Sequence, residues 1–353
     1  GGFTVTNNKI YSTPYHQSII TFRRDKGSTS SSASNMEAKA IGAAGDGVIW
    51  HKCDISNNDM LDCIAVGDMT SSTYSATGYY GNPSGFTVTS DYNVDHQRNQ
   101  IPAWHTAIDL RVGQRSNDYP FLCGKFKIND NHMKSQRYGL YVTVHANADD
   151  STDRVNHVID ICRNNIESHW GMIVRSQDAT SKLFNNQVLY GSKCDENNIH
   201  VINIFEKFME HDTDDTWINQ PRGIDYDVTE DNTSAYGIWF ADCSWSKNII
   251  RMTSATNYTH ATAYGLILGR RTPVYHSYNR ISLNNIRGFS CGIKTYNIKG
   301  DSTKAGWQYS QMHDNSLWFC EFCVPDWKWH LEDTTSDQNI MSANFHDGVG
   351  YTS

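Results

Sequence analysis

Helical periodicity is almost missing from this sequence. No convincing stretch repeats apolar residues at i, i+3, i+4 and i+7 over three turns, which argues against helix bundles and helical solenoids. Charge is scarce as well, at 19% of residues, and its balance is acidic. A formal net charge of −8 disfavours nucleic acid as the main partner, because that binding neutralises phosphates with clustered Lys and Arg. There is no apolar run of membrane-spanning length and no charged-then-apolar leader at the start, so neither a membrane span nor a signal peptide is expected and the chain reads as soluble. Disulfides are not required: nine cysteines is an odd number, and most lie beside strand-like residues, as in Val158-Ile159-Asp160-Ile161-Cys162, where Cys acts as a small buried hydrophobe. The one Cys-x-x-Cys, Cys320 to Cys323, has no second pair at zinc-finger spacing, so neither a metal nor a cofactor is expected.

What is abundant is the material of strands and turns. Hydrophobic residues make up 38%, and much of the remainder is Ser, Thr and 31 asparagines, residues that favour tight turns and, for Asn, left-handed backbone. At 353 residues the chain needs several cores or a repeat. A repeat is present as an aromatic-Gly-apolar-x-apolar unit: Tyr138-Gly139-Leu140-Tyr141-Val142, Trp170-Gly171-Met172-Ile173-Val174, Tyr236-Gly237-Ile238-Trp239-Phe240, Tyr264-Gly265-Leu266-Ile267-Leu268 and, more weakly, Cys291-Gly292-Ile293-Lys294-Thr295. The glycines are 32, 66, 28 and 27 residues apart, and 66 is two steps of 33, with one copy degenerated near Ile202-Asn203-Ile204. A second element, Asn-x-apolar, recurs at Asn8, Asn58, Asn131, Asn164, Asn197, Asn248, Asn284, Asn315 and Asn339. Off-register asparagines at Asn156, Asn186 and Asn279 make it the weaker of the two signals.

A fixed period in this range means a solenoid, whose units bury their apolar faces only by stacking on their neighbours. Steps of 27 to 33 residues suit three short strands with turns. Leucine-rich, ankyrin and tetratricopeptide patterns are absent, so the expected fold is all-β: a right-handed parallel β-helix of three sheets with protruding loops. An Asn near an internal turn can then stack on the Asn of the next coil and exchange amide hydrogen bonds. One body domain spans 1–353, with small-polar loops at 27–35 and 69–84 and an insertion around 206–235.

With this periodicity and composition the sequence resembles the pectate-lyase-like β-helix superfamily and, within it, bacteriophage tailspikes and capsule depolymerases, from roughly Phe3 to Val349. The acidic signatures of polygalacturonases and the calcium clusters of pectate lyases are missing, so no family catalytic residue carries over. The resemblance implies a homotrimer that binds and cleaves capsule or lipopolysaccharide, assembled in bacterial cytoplasm into a virion tail. The chain would be the body of a longer spike.

Strand alternation sends one set of residues outward on the glycine-marked sheet: Tyr141 and Thr143, Ile173 and Arg175, Trp239 and Ala241, Ile267 and Gly269, Lys294 and Tyr296. Such a row suits a sugar chain lying across the coils, and equally a trimer interface. In Gly223-Ile224-Asp225-Tyr226-Asp227-Val228, a strand with Ile224, Tyr226 and Val228 inside leaves Asp225 and Asp227 outside, about 6.8 Å apart, a separation suited to inverting glycoside hydrolysis. Gly223 lies 14 residues before Gly237, which argues for another sheet or a loop. Asp242 is a single carboxylate able to join the pair across coils. A different chemistry is offered by Gly269 to Arg280, where Arg270, Arg271, Tyr275 and His276 supply the parts for β-elimination of a uronate, or for an interchain contact. Three functions follow: a depolymerase, a glycan-binding adhesin or spike, and a secreted cell-wall enzyme.

Overall fold

The structure is a computed structural model, and it describes residues 2–12, 16–22, 38–43, 50–62, 74–75, 87–88, 106–114, 120–135, 138–145, 155–177, 187–202, 221–226, 239–252, 263–269, 275–289, 291–296, 306–318, 340–342, 345–346 and 349–350. These residues are all-β and contain no helix, hence no helix long and apolar enough to cross a membrane.

Parallel strands run in three long rows, each strand pairing with its counterpart one repeat further along. The first row runs Gly2–Thr6, Trp50–Ser56, Pro120–Asn129, Val155–Cys162, Gln187–Tyr190, Trp239–Ala241, Tyr275–Ser277 and Gly306–Gln308. The second runs Lys9–Ser12, Asp59–Asp62, His132–Lys134, Asn165–Ser168, Asn198–Val201, Ile249–Met252, Asn285–Arg287 and Ser316–Trp318. The third runs His16–Phe22, Thr106–Gln114, Tyr138–His145, Trp170–Gln177, Arg222–Tyr226, Tyr264–Gly269 and Cys291–Tyr296. In the later repeats the first row breaks in two, and Ser244–Ser246, Arg280–Ser282, Gln311–His313 and Ile340–Ser342 form a short sheet of their own.

The core is a set of straight files, one residue per strand. In the second row Ile10, Met60, Met133, Ile166, Ile199, Ile250, Ile286 and Leu317 are in register and all buried. In the third row Ile108, Leu140, Met172, Ile224, Leu266 and Ile293 form a second file. Burying one such side chain contributes about 1.5 to 3 kcal/mol, and stacking lets every repeat collect it. Five of the cysteines, Cys53, Cys162, Cys194, Cys243 and Cys291, are buried free thiols; burial pushes that of Cys243 up to about 12, so these sulfurs act as packing rather than as nucleophiles.

Asparagine closes the turn between the first and second rows eight times over. The residue before each Asn (Asn7, Asn57, Asp130, Arg163, Glu196, Lys247, Leu283, Asp314) is left-handed, with φ between 56° and 62°. The following Asn turns inward: from Asn8 through Asn58, Asn131, Asn164, Asn197, Asn248 and Asn284 to Asn315, each Nδ2 donates to the next Oδ1 at 2.8 to 3.0 Å. From Asn58 onward the same Nδ2 also donates to a main-chain carbonyl of the preceding repeat at 2.7 to 3.0 Å. The buried turn is thereby satisfied from inside.

Two expectations are corrected here. The asparagines, ranked below the glycines, are the stricter repeat, and the off-register Asn279 serves a second turn, where its Oδ1 accepts from Cys243 N at 2.9 Å. The Gly223 segment, assigned elsewhere because of its closeness to Gly237, occupies the third row directly between Trp170–Gln177 and Tyr264–Gly269. It therefore fills the place given to the degenerate copy, inside the region expected to be an insertion. Trp239–Ala241 belongs to the first row instead. The glycine position tolerates no side chain: a Cβ on Gly223 would come within 2.3 Å of Ile250 Cγ2 and 2.4 Å of the Gly265 carbonyl oxygen.

Candidate functional site

On the outer face of the third row, Tyr138, Trp170, Arg222 and Tyr264 align in register, and beside them run Tyr141, Ile173, Asp225, Ile267 and Lys294. Arg222 takes the place of an aromatic ring and lies between two of them, 5.0 Å from the Trp170 centroid and 5.7 Å from that of Tyr264. Its Nη1 donates to Asp225 Oδ2 three residues along the same strand. The middle of this face is closed to solvent: Asp225 is 0% exposed, Ile173 1% and Ile267 2%, with Tyr141 and Lys294 half-buried at either side. Tyr138, Trp170 and Ile173 make a small apolar cluster of their own, with the half-buried Tyr141 packed on it.

Asp225 was expected to stand on a solvated outer face with Asp227. Its strand alternation is as expected, with Ile224 and Tyr226 in the core, but the carboxylate is enclosed and ion-paired to Arg222. Asp227 lies outside the described residues. Asp242 is exposed in the second turn of the first row, at φ 52°, on a different row from Asp225, so the structure does not bring the two into one constellation. Tyr141 lies against Tyr138, with ring centroids 5.1 Å apart, and is not an open platform. Arg175 aligns with Thr143, Trp239 with Val188, and Tyr275 and His276 with Gly306 and Trp307; the side chains of these four site residues lie outside the described set, as do Arg270 and Arg271 entirely.

The outer face of the second row is open. Three residues after each of the six ladder asparagines from Asn131 to Asn315 stands an outward side chain, giving the register file Lys134, Glu167, His200, Arg251, Arg287 and Trp318. Lys134 Nζ lies 2.9 Å from Glu167 Oε1, and His200 Nδ1 lies 3.9 Å from Glu167 Oε2. Burial and the Arg251 charge hold His200 below the ordinary histidine value, with Glu167 opposing them. The parallel file beside it is amide-rich, and Asn198 Nδ2 donates to Asn165 Oδ1 at 3.1 Å. The sequence reading missed this face because it followed each Asn-x-apolar unit for three residues; the fourth carries the signal.

One described carboxyl group has the property a general acid needs. Asp195, between the strands Gln187–Tyr190 and Asn198–Val201, is pushed above the usual carboxylate range by burial, although Ser244 Oγ at 2.9 Å and Ser246 N at 2.7 Å donate to its Oδ1. Lys193 and Arg280 pull in the same direction as those donors.

Comparison of the chain with protein-family models, with curated proteins and with solved structures finds no match.

Proposed function

We propose that the chain is a right-handed parallel β-helix of the pectate-lyase-like kind, the body of a homotrimeric bacteriophage tailspike, and that it binds and cleaves a bacterial surface polysaccharide. The observation that carries this reading is the open outer face of the second row. There, five polar side chains and a terminal tryptophan on six successive strands, with asparagines in the flanking file, stand at the spacing of stacked strands, roughly 4.8 Å. Amides and cations suit hydroxyl and carboxylate groups, and an indole face suits a sugar ring.

For cleavage by hydrolysis, Asp195 is the better acid than Asp225, which has Arg222 on its carboxylate and no exposure. A spike that binds glycan without cutting it is the second reading, favoured by the enclosure of Asp225.

The test is incubation of capsular polysaccharides and lipopolysaccharides with the protein. New reducing ends, lost in Asp195→Asn, support hydrolysis. An absorbing unsaturated product supports a lyase, and binding with unchanged chain length supports the second reading. Absence of both binding and cleavage across the panel overturns the proposal.

A further inference from the structure

The second turn of the first row recurs at Gly191, Asp242, Tyr278 and Tyr309, and all four are left-handed, with φ of 63°, 52°, 56° and 49°. Flanking strand residues keep these turns in step: Ala241 pairs with Ser277 before the turn and Ser244 with Arg280 after it, and the neighbouring repeats pair likewise. Left-handed backbone favours Gly, Asn or Asp, and a bulky ring is an unfavourable choice there. Yet two successive repeats carry tyrosine at this position, 61% and 37% exposed, so neither ring serves the core. The two rings are parallel to within 9° and their centroids are 5.1 Å apart, close to one strand step, so they form a stack that runs along the repeats. Toward the earlier repeats the stack stops. Asp242, next in the file, is short and exposed, and a Cβ added to Gly191 would meet nothing within 4 Å. Exposed rings held on unfavourable backbone beside an open space are expected where a ligand uses them.

We propose that the open end of this stack is a sugar-binding subsite, in which an uncharged pyranose ring lies on Tyr278 in the space over Asp242 and Gly191. The inference rests on the glycan reading above and adds to it a contact on a different row. The C–H face of a pyranose is apolar and matches a tyrosine ring, while the Asp242 carboxylate accepts hydrogen bonds from sugar hydroxyls. Tyr190, 53% exposed and one residue before Gly191, flanks the same space. The surrounding charges select a neutral group. Asp242 repels an anion, whereas Lys193 and Arg280, both exposed on the neighbouring file, repel a cation. The subsite also lies beside the carboxyl group singled out above. Ser244, two residues and roughly 7 Å along the strand from Asp242, donates to Asp195 at 2.9 Å.

The test uses the full chain, the panel of capsular polysaccharides and lipopolysaccharides, and the variants Tyr278→Asn, Tyr278→Phe and Asp242→Gly. Asn and Gly suit left-handed backbone and remove the ring or the carboxylate, whereas Phe keeps the ring. The expected result is that at least one glycan binds, that Tyr278→Asn binds it roughly tenfold more weakly, and that Tyr278→Phe stays within about twofold of wild type. The loss in Tyr278→Asn should be the same at low and at physiological salt, because no charge is removed. Asp242→Gly should weaken the complex roughly threefold, and this arm stands if Tyr278→Asn fails to fold. Wild-type affinity in both Tyr278→Asn and Asp242→Gly overturns the inference and leaves the glycan reading standing. Equal loss in Tyr278→Asn and Tyr278→Phe overturns it too, since the hydroxyl and not the ring face would then be the contact. A lower native mass for Tyr278→Asn in sedimentation, with glycan binding intact, makes the stack a contact with a second copy of the chain and likewise overturns it. No binding by any glycan overturns both readings.

Discussion

Asn164 shows how much one side chain does in this fold. Its Oδ1 accepts from Asn131 N and Asn131 Nδ2, both at 3.0 Å, while its Nδ2 donates to the Ile128 carbonyl at 2.7 Å and to Asn197 Oδ1 at 3.0 Å. All of this is buried, so truncation strands several polar groups at once, each costing about 1 to 3 kcal/mol. Asn164→Ala should lower unfolding stability by roughly 3 kcal/mol or more in urea titration; a midpoint within error of wild type would mean that water replaces the amide. Asp225 allows a companion measurement. Breaking a buried ion pair leaves one charge uncompensated at a cost of about 3 to 5 kcal/mol, so Asp225→Asn should unfold at markedly lower urea because Arg222 keeps its charge. An unchanged midpoint, with activity lost, would return Asp225 to the catalytic list.

At the scale of elements, the second-row face behaves as a unit whose charge depends on pH. His200 is held below the ordinary value of about 6.5 by burial and Arg251, against Glu167, with Lys134 adding to the repulsion. Above that value His200 is neutral folded or unfolded and contributes nothing. As pH falls below it, the unfolded chain takes the proton first, so the native state loses stability. Unfolding stability of the wild type should therefore fall more steeply than that of His200→Gln as pH drops from about 6.5 to about 5. Equal loss of stability in the two proteins would show that His200 is not held below the ordinary value in the native state.

Much of this element-level order was legible beforehand, and the misses have physical causes. The aromatic-Gly units at Gly139, Gly171 and Gly265 mark one strand position, because a Cβ there strikes the neighbouring backbone, as Gly139 against the Gly171 carbonyl oxygen at 2.7 Å shows. Spacing failed at Gly223, since segments of unequal length between strands move a repeat along the sequence without moving it in the sheet. Exposure was not legible either. Alternation correctly put Ile173, Asp225 and Ile267 on the outer side of their strands, yet that side is buried. The open face lies one residue beyond the Asn-x-apolar pattern, where side-chain type varies from strand to strand and gives no repeat to follow.

For the whole molecule, repetition means that stability accumulates from neighbouring repeats and no single repeat is indispensable. Excision of residues 132–164 should test this, because it joins Asn131 to Asn165 and leaves all three rows in phase. The shortened chain should fold with unchanged β-sheet circular dichroism and a urea m-value lower by about a tenth, in proportion to surface buried. An unfolded product would show that one repeat carries a unique contact.

The asparagine ladder has a further property that follows from its order. From Asn58 to Asn315 each Oδ1 accepts from the repeat before it, and from Asn8 to Asn284 one N–H of each amide donates to the repeat after it. Dipoles aligned in this way polarise one another and sum, leaving the late end of the stack electropositive. Arg287 and Trp318 belong to that end. The glycan proposed above is itself directional, with unlike ends, and on such a molecule its two orientations would meet an electrical north and south and differ in energy.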